Sequence, residues 1–347
     1  MNYAVENWTR RAALTAIGAV TALGLGTGMA NADMLADLAK QAAASEHPVV
    51  WYESSKEDQI DKVLEAFNKR YPDVKVEHLR VVGGNKMTGR VIQEIQGQGY
   101  TGDLVTTGAA QAWEMNDRGL LQEANWGELG VPAKLTPEPF TVAMAASVYV
   151  LLVNTDRVKP EDEPKGWQDV NDMKWKGRMG SWVRAGAHTQ MAKVWGVEKA
   201  QAELEAYMKL EPLLFKSTFP LAQQVGAGEV DIAIGFFHST QPAIDAGAPV
   251  KRIALDPAPM HTIYTSMTKG ARNTAGAKLF LSWLTTSEGA AAYESATSRG
   301  SHLLPGTKTY DLVKDAEAAE WPAEETDKYQ ETFEVFNKIL GSAGAAR

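Results

Sequence analysis

Runs of β-branched and aromatic residues alternate with helix-periodic runs from residue 49 almost to the C-terminus, and this alternation is what most limits the folds open to the chain. The pattern predicts strands over Val49–Glu53, Val74–Val82, Asp103–Thr107, Val148–Val153, Met179–Val183, Val230–Phe236, Lys251–Leu255 and Thr262–Met267. It predicts helices over Asp58–Arg70, Lys86–Gln96, Ala110–Arg118, Ala187–Gly196, Lys199–Lys209, Leu221–Gly226, Thr274–Thr286, Glu288–Thr297 and Glu324–Leu340. In the first helix Ile60, Val63, Leu64 and Phe67 fall at i, i+3, i+4 and i+7, one face of a 3.6-residue period. A βαβ order of this kind gives an α/β fold with mixed, mostly parallel sheets flanked by helices. The chain has 347 residues, more than one hydrophobic core usually serves, so two domains are expected. No Pro/Gly linker or low-complexity tract divides it, which favours closely connected lobes.

Residues 1–32 read as an export signal: Arg10 and Arg11, an apolar stretch from Ala12 to Met29, then Ala30-Asn31-Ala32 as a small-x-small cleavage site, with cleavage after Ala32. The arginine pair resembles a twin-arginine signal, although Ala13 stands where an aromatic residue or leucine is usual. A periplasmic product is expected. The net charge is −8, and removing Glu6, Arg10 and Arg11 makes the mature chain slightly more acidic. An acidic chain without Lys/Arg blocks is a poor partner for nucleic acid or an anionic membrane. There is no cysteine, which excludes disulfides, thiolate metal sites and cysteine catalysis.

In parallel α/β sheets ligands bind beyond the carboxyl ends of the strands, so the strand-to-helix loops hold the candidate site. Four such loops are alike: Ser54-Ser55, Thr106-Thr107-Gly108, Arg184-Ala185-Gly186-Ala187-His188 and Ser217-Thr218. Each brings hydroxyls, small residues or a cation to a helix N-terminus, where backbone N–H groups and the helix dipole favour an anion. Capping alone explains the same residues, and Ser54 to Glu57 fits a capping box. Arg184 suits a bidentate contact with a carboxylate or phosphate. Trp51, Trp182, Phe236, Phe237 and Tyr264 are candidates for apolar walls, and His188 and His238 for donors to an anion. Neither histidine has a second ligand at metal spacing, so no metal site or cofactor is expected. Glu53 is the one acid in these loops and keeps a cationic, polyamine-type ligand open.

These residues resemble the family-1 extracellular solute-binding proteins of ABC importers, most closely the branch with ferric-ion-binding periplasmic proteins. The resemblance rests on the order of Val50-Trp51-Tyr52-Glu53-Ser54-Ser55, Gly102-Asp103-Leu104-Val105, Asn154-Thr155-Asp156, Trp175-Lys176-Gly177-Arg178, Gly228-Glu229-Val230-Asp231 and Ser287-Glu288-Gly289. It implies a two-lobed periplasmic binding protein of type II, monomeric, that closes on a small solute by hinge motion and presents it to a membrane permease. By analogy, lobe one spans 48–145 plus 256–300, and lobe two 146–255 plus 301–347. Ferric-binding relatives use a histidine in the first turn, a glutamate after the third strand and a tyrosine pair after the Gly-Glu-Val-Asp strand. Here those places hold Ser54 and Ser55, then Thr106, Thr107 and Gly108, then Phe236, Phe237, His238 and Ser239, which offer ferric iron no carboxylate or phenolate. The expected ligand is therefore an organic anion, such as a carboxylate, phosphonate or sugar phosphate, with its acid group on Arg184. Ferric iron or a polyamine on the same fold is the alternative. Readings of another class are a receptor feeding a sensor kinase and an exported enzyme, although no nucleophile elbow, zincin helix, Walker loop or dinucleotide fingerprint occurs.

Overall fold

The computed structural model describes residues 33–341, so the expected export signal and its cleavage point lie outside the described residues. A helix over 33–43 (α1) leads into β1 (Val49–Glu53), α2 (Glu57–Arg70), β2 (Val76–Arg80), α3 (Gly84–Gln98), β3 (Leu104–Gly108), α4 (Ala109–Asp117) and β4 (Leu121–Gln122). The long β5 (Val142–Asn154) follows, then α5 (Trp167–Val170), β6 (Met179–Trp182), α6 (Gly186–Trp195), α7 (Val197–Met208), β7 (Leu213–Phe215), α8 (Thr218–Ala227) and β8 (Ile232–Phe236). The chain closes with α9 (Phe237–Asp245), β9 (Val250–Ile253), β10 (Ala258–Thr268), α10 (Thr274–Leu284), α11 (Ser287–Thr297), α12 (Lys308–Val313), β11 (Ala318–Ala319) and α13 (Thr326–Gly341).

The strands run in the order β2-β1-β3-β10-β5-β8-β6-β7, a mixed α/β sheet that bends into two lobes. In the first lobe β1 lies parallel between β2 and β3, and in the second β6 lies parallel between β7 and β8. The centre departs from the parallel expectation, because β10 pairs antiparallel with β3 and β5, and β5 pairs antiparallel with β8 and β9. Strand β5 runs through both lobes: Val142–Val148 pair with β10, and from Tyr149 onward the strand pairs with β8. All but one of its 13 residues are buried, as in strands covered on both faces. Its alanine-rich first half has weak strand propensity, which is why the sequence pattern starts the strand only at Val148.

Two sets of apolar clusters follow the two sheets. Trp51, Phe67, Phe280 and Trp283 form the centre of the first, closed by Ala42 of α1. Tyr149, Trp167, Trp175 and Tyr207 centre the second, and Phe336 and Leu340 of α13 pack against Ala192 and Leu204 beside it. Among the elements that escape the sequence pattern, β7 is only three residues long, α1 precedes the expected first lobe, and α9 contains Pro242, which normally argues against a helix. The expected capping box at Ser54 is also absent. Helix α2 starts at Glu57, and Gln59 Oε1 accepts from the Lys56 N–H at 3.2 Å.

Candidate functional site

The carboxyl ends of β1, β2 and β3, with β5 and β10, border a cavity of about 220 Å³ lined by Ser54, Thr107, Gly108, Ser147, Ile263 and Arg299, among others. Two helices begin at its wall, α3 behind Gly83 and α4 behind Gly108, and neither has a side-chain cap on its first N–H groups. Gly83 has φ +99°, a conformation that side chains disfavour, so glycine there sets how the chain enters α3.

Arg299 supplies the charge. It follows α11, which ends where Ser298 takes a left-handed turn (φ 59°). Its Nη1 donates to Ser55 Oγ at 3.2 Å, and its Nη2 meets Nε2 of His238 in the second lobe at 3.2 Å. Burial and the adjacent guanidinium hold the His238 pKa well below its usual value, so the ring is neutral. Nε2 therefore accepts from Arg299 and the ring proton sits on Nδ1. That Nδ1, the Arg299 Nε and the Thr107 hydroxyl are buried without a hydrogen-bond partner.

Glu53 lies beneath this cavity, 1% exposed, and its carboxylate is occupied from within. It accepts from the Ser55 N–H, from Ser55 Oγ at 3.1 Å and from Tyr293 Oη at 3.2 Å. A chain Glu53–Ser55–Arg299–His238 thus runs from the first lobe into the second.

An aromatic group in the second lobe surrounds His238, the partner of Arg299. The Phe236 ring stacks on His238 (5.0 Å, 24°), lies 4.2 Å from Tyr149 and meets Trp182 edge-on at 5.6 Å. Arg184 is exposed and rests over Trp182, 5.5 Å from the ring. Gly186 lets Tyr149 approach, since a Cβ there would meet the phenol oxygen at 2.1 Å.

A second cavity, of about 200 Å³, adjoins the first along Gly108 and Gln111 and reaches Gln190, His261, Glu320 and Tyr329. Its hydrogen bonds have a fixed direction. The Trp321 N–H donates to Gln190 Oε1 at 2.9 Å, so the Gln190 amide nitrogen faces His261 Nδ1, 2.7 Å away, and donates to it. His261 is pushed down to about 4 by burial and is neutral, so its Nε2–H donates to Tyr149 Oη at 3.1 Å.

Several predicted residues lie elsewhere. Trp51 is fully buried in the first core and donates from Nε1 to Thr106 Oγ1 at 2.8 Å; Thr106, which also bonds Thr265, stands at the wall of the first cavity. His188 is buried against Trp167 and Tyr207 with its pKa pushed down to about 4, and Ala187 belongs to the same core, so neither reaches an anion. The α6 N-terminus is already engaged by α13, through the Ala185 N–H to Asn337 Oδ1 at 3.0 Å. Phe237 is buried under Arg252, whose guanidinium is 3.8 Å from the ring centre, and lines a separate cavity with Gln59, Gln241 and Ser295. Ser217 caps α8, Thr218 is buried in its first turn, and Tyr264 packs edge-on against Trp113 at 5.3 Å. Among the described residues no group of three or more His, Cys, Asp or Glu side chains is arranged to hold a metal.

Arg299 and Glu320 were not found by the loop-based reading, because they follow a helix and a two-residue strand rather than opening a helix after a long strand. An arginine beside Gly300 at a helix end was the available signal for the first; Glu320, between Ala319 and Trp321-Pro322 in an otherwise apolar run, was the signal for the second.

A family model described as bacterial extracellular solute-binding protein matches residues 62–326. An uncharacterized protein of Haemophilus influenzae is 30% identical over 167 residues, 45% of this chain; the chain spans about half the length (47%) of that curated relative. Among solved structures, iron-bound HitA from Pseudomonas aeruginosa superposes with a TM-score of 0.68 at 16% identity, covering 86% of this chain and 99% of that one. AfuA from Actinobacillus pleuropneumoniae with fructose-6-phosphate gives 0.65 at 20% identity, with 86% and 99% covered. A GABA receptor gives 0.66 at 15% identity, with 84% and 98% covered. At these identities the structures are similar in fold.

Proposed function

The chain belongs to the bacterial extracellular solute-binding protein family, and from that premise we propose that it captures a small organic anion between its lobes in the periplasm and delivers it to an ABC-type membrane permease. In this reading lobe one is 48–145 plus 256–300 and lobe two is 146–255 plus 301–347, with β5 and β10 as the hinge. The observation that carries the anion is the setting of Arg299. A guanidinium with a buried, unpartnered Nε faces a cavity that also holds the unpartnered Thr107 hydroxyl and the uncapped starts of α3 and α4. A carboxylate, phosphonate or phosphate ester satisfies all of these donors at once. The first lobe binds the acid group, and Trp182 and Phe236 supply apolar wall from the second.

Ferric iron fits the same cavity poorly. Its oxygen donors are hydroxyls, and Glu53 is consumed by Ser55 and Tyr293. The reading is one of binding without turnover.

A melting screen of refolded mature protein against carboxylates, phosphonates, sugar phosphates, polyamines and ferric ion tests it. At about 100 times its Kd a ligand adds roughly 2.7 kcal/mol, a shift of several degrees. A shift with one class of organic anion is expected. A shift with ferric ion or polyamines alone refutes the anion assignment.

A further inference from the structure

Glu320 is a half-buried acid beside the cleft that the anion reading does not use. Both of its oxygens accept from Thr262, one from the N–H and the other from Oγ1 at 2.6 Å, which fixes the carboxyl at the wall of the second cavity. Among the described residues it forms no ion pair with Lys, Arg or His. The titratable groups around it are His261 and Tyr264 on β10, Tyr329 on α13, Glu324, and Arg184 near Tyr329. His261 is neutral, and the phenols of Tyr264 and Tyr329 are pushed up by burial, so none of these three supplies a neutralising charge. Burial without a cation raises Glu320 itself to about 7.

The two cavities meet along Gly108 and Gln111 at the start of α4, so one molecule can reach both. We propose that the solute is a zwitterion, with its acid group at Arg299 and Thr107 and a primary ammonium group against Glu320 in the second cavity. The inference rests on the anion reading above and extends it. An ammonium donates to lone pairs that Thr262 leaves free on the carboxylate and supplies the missing positive charge. Tyr329 borders the same space. Glu53 cannot fill this role, because hydrogen bonds hold it in the first lobe.

Matched pairs of probes test the assignment: 3-aminopropylphosphonate against propylphosphonate, and 4-aminobutyrate against butyrate, titrated calorimetrically at pH 7 in two buffers of different ionisation enthalpy. In at least one pair the amine-bearing member is expected to bind ten-fold or more tightly. Because an ammonium keeps Glu320 ionised, its binding releases roughly half a proton per ligand at pH 7. Glu320→Gln abolishes both the preference and the proton release, and the wild-type comparison stands even if that variant does not fold. Equal binding of both members overturns the inference, as does a panel in which no amine-bearing anion binds. If amine-free anions bind equally and Arg299→Ala removes that binding, the anion reading survives alone. If Arg299→Ala leaves binding unchanged, the anion reading has failed as well.

Discussion

Arg299 of the first lobe donates to His238 Nε2 of the second at 3.2 Å while its Nε remains buried and unpartnered. The same guanidinium therefore ties the lobes together and leaves one donor without a partner. Glu53 and Ser55 hold it from below, so its position is set before any solute arrives. Such preorganisation reduces the ordering cost of binding.

Arg299→Ala is expected to weaken an anionic solute by about 2–4 kcal/mol, roughly 30- to 1,000-fold in Kd. Arg299→Lys should recover only part of this, since an ammonium cannot reproduce the planar fork. Calorimetric titration of the three proteins checks the ranking; equal affinities would remove Arg299 from the site.

Arg184→Ala should change Kd by less than about five-fold at physiological salt, because the side chain is exposed over Trp182. Stopped-flow association rates should lose part of their salt dependence, as for a rim charge that steers an anion. A hundred-fold loss in affinity would instead place Arg184 at the acid group.

Trp51→Phe removes the Nε1 bond to Thr106 inside the first core. A loss of about 1–3 kcal/mol in urea unfolding is expected, with solute affinity unchanged. Weaker binding at unchanged stability would return Trp51 to the pocket.

Stability should respond to pH with two opposite signs. Burial lowers His188, His261 and His302 to about 4, below their unfolded value, so their contribution is complete above about 6.5 and is lost as pH falls toward 4. Glu320 is raised to about 7, so it carries no penalty below its unfolded value near 4.5 and destabilises increasingly as pH climbs to 7. In the absence of solute, Glu320→Gln should therefore gain stability over wild type at pH 8 and little at pH 4. Urea midpoints at the two values check this, and a gain at pH 4 alone would reverse the assignment.

The alternating strands and helices were legible because their apolar periods are strong: Val49–Glu53 and the Ile60, Val63, Phe67 face of α2 form as read. The path of β5 through both lobes was not, since Ala143–Ala146 carry little strand propensity and are recruited by pairing with β10. At the candidate site, the loops lead to Ser54, Thr106, Thr107 and Gly108, which line the first cavity. They do not lead there at His188, which is buried in a core, or at Phe237, which lines a different cavity. The charges came from Arg299 and Glu320, 245 and 266 residues after Ser54 in the chain, and only the fold brings them to the cleft.

A crystal structure of the protein purified with its natural solute, without refolding, tests the central claim most directly. Electron density for the solute's acid group within hydrogen-bond distance of the Arg299 guanidinium and the Thr107 hydroxyl is the expected result. An acid group seated on Arg184 and the start of α6, with Arg299 still bound only to Ser55 and His238, would contradict it, and so would a metal ion in the first cavity.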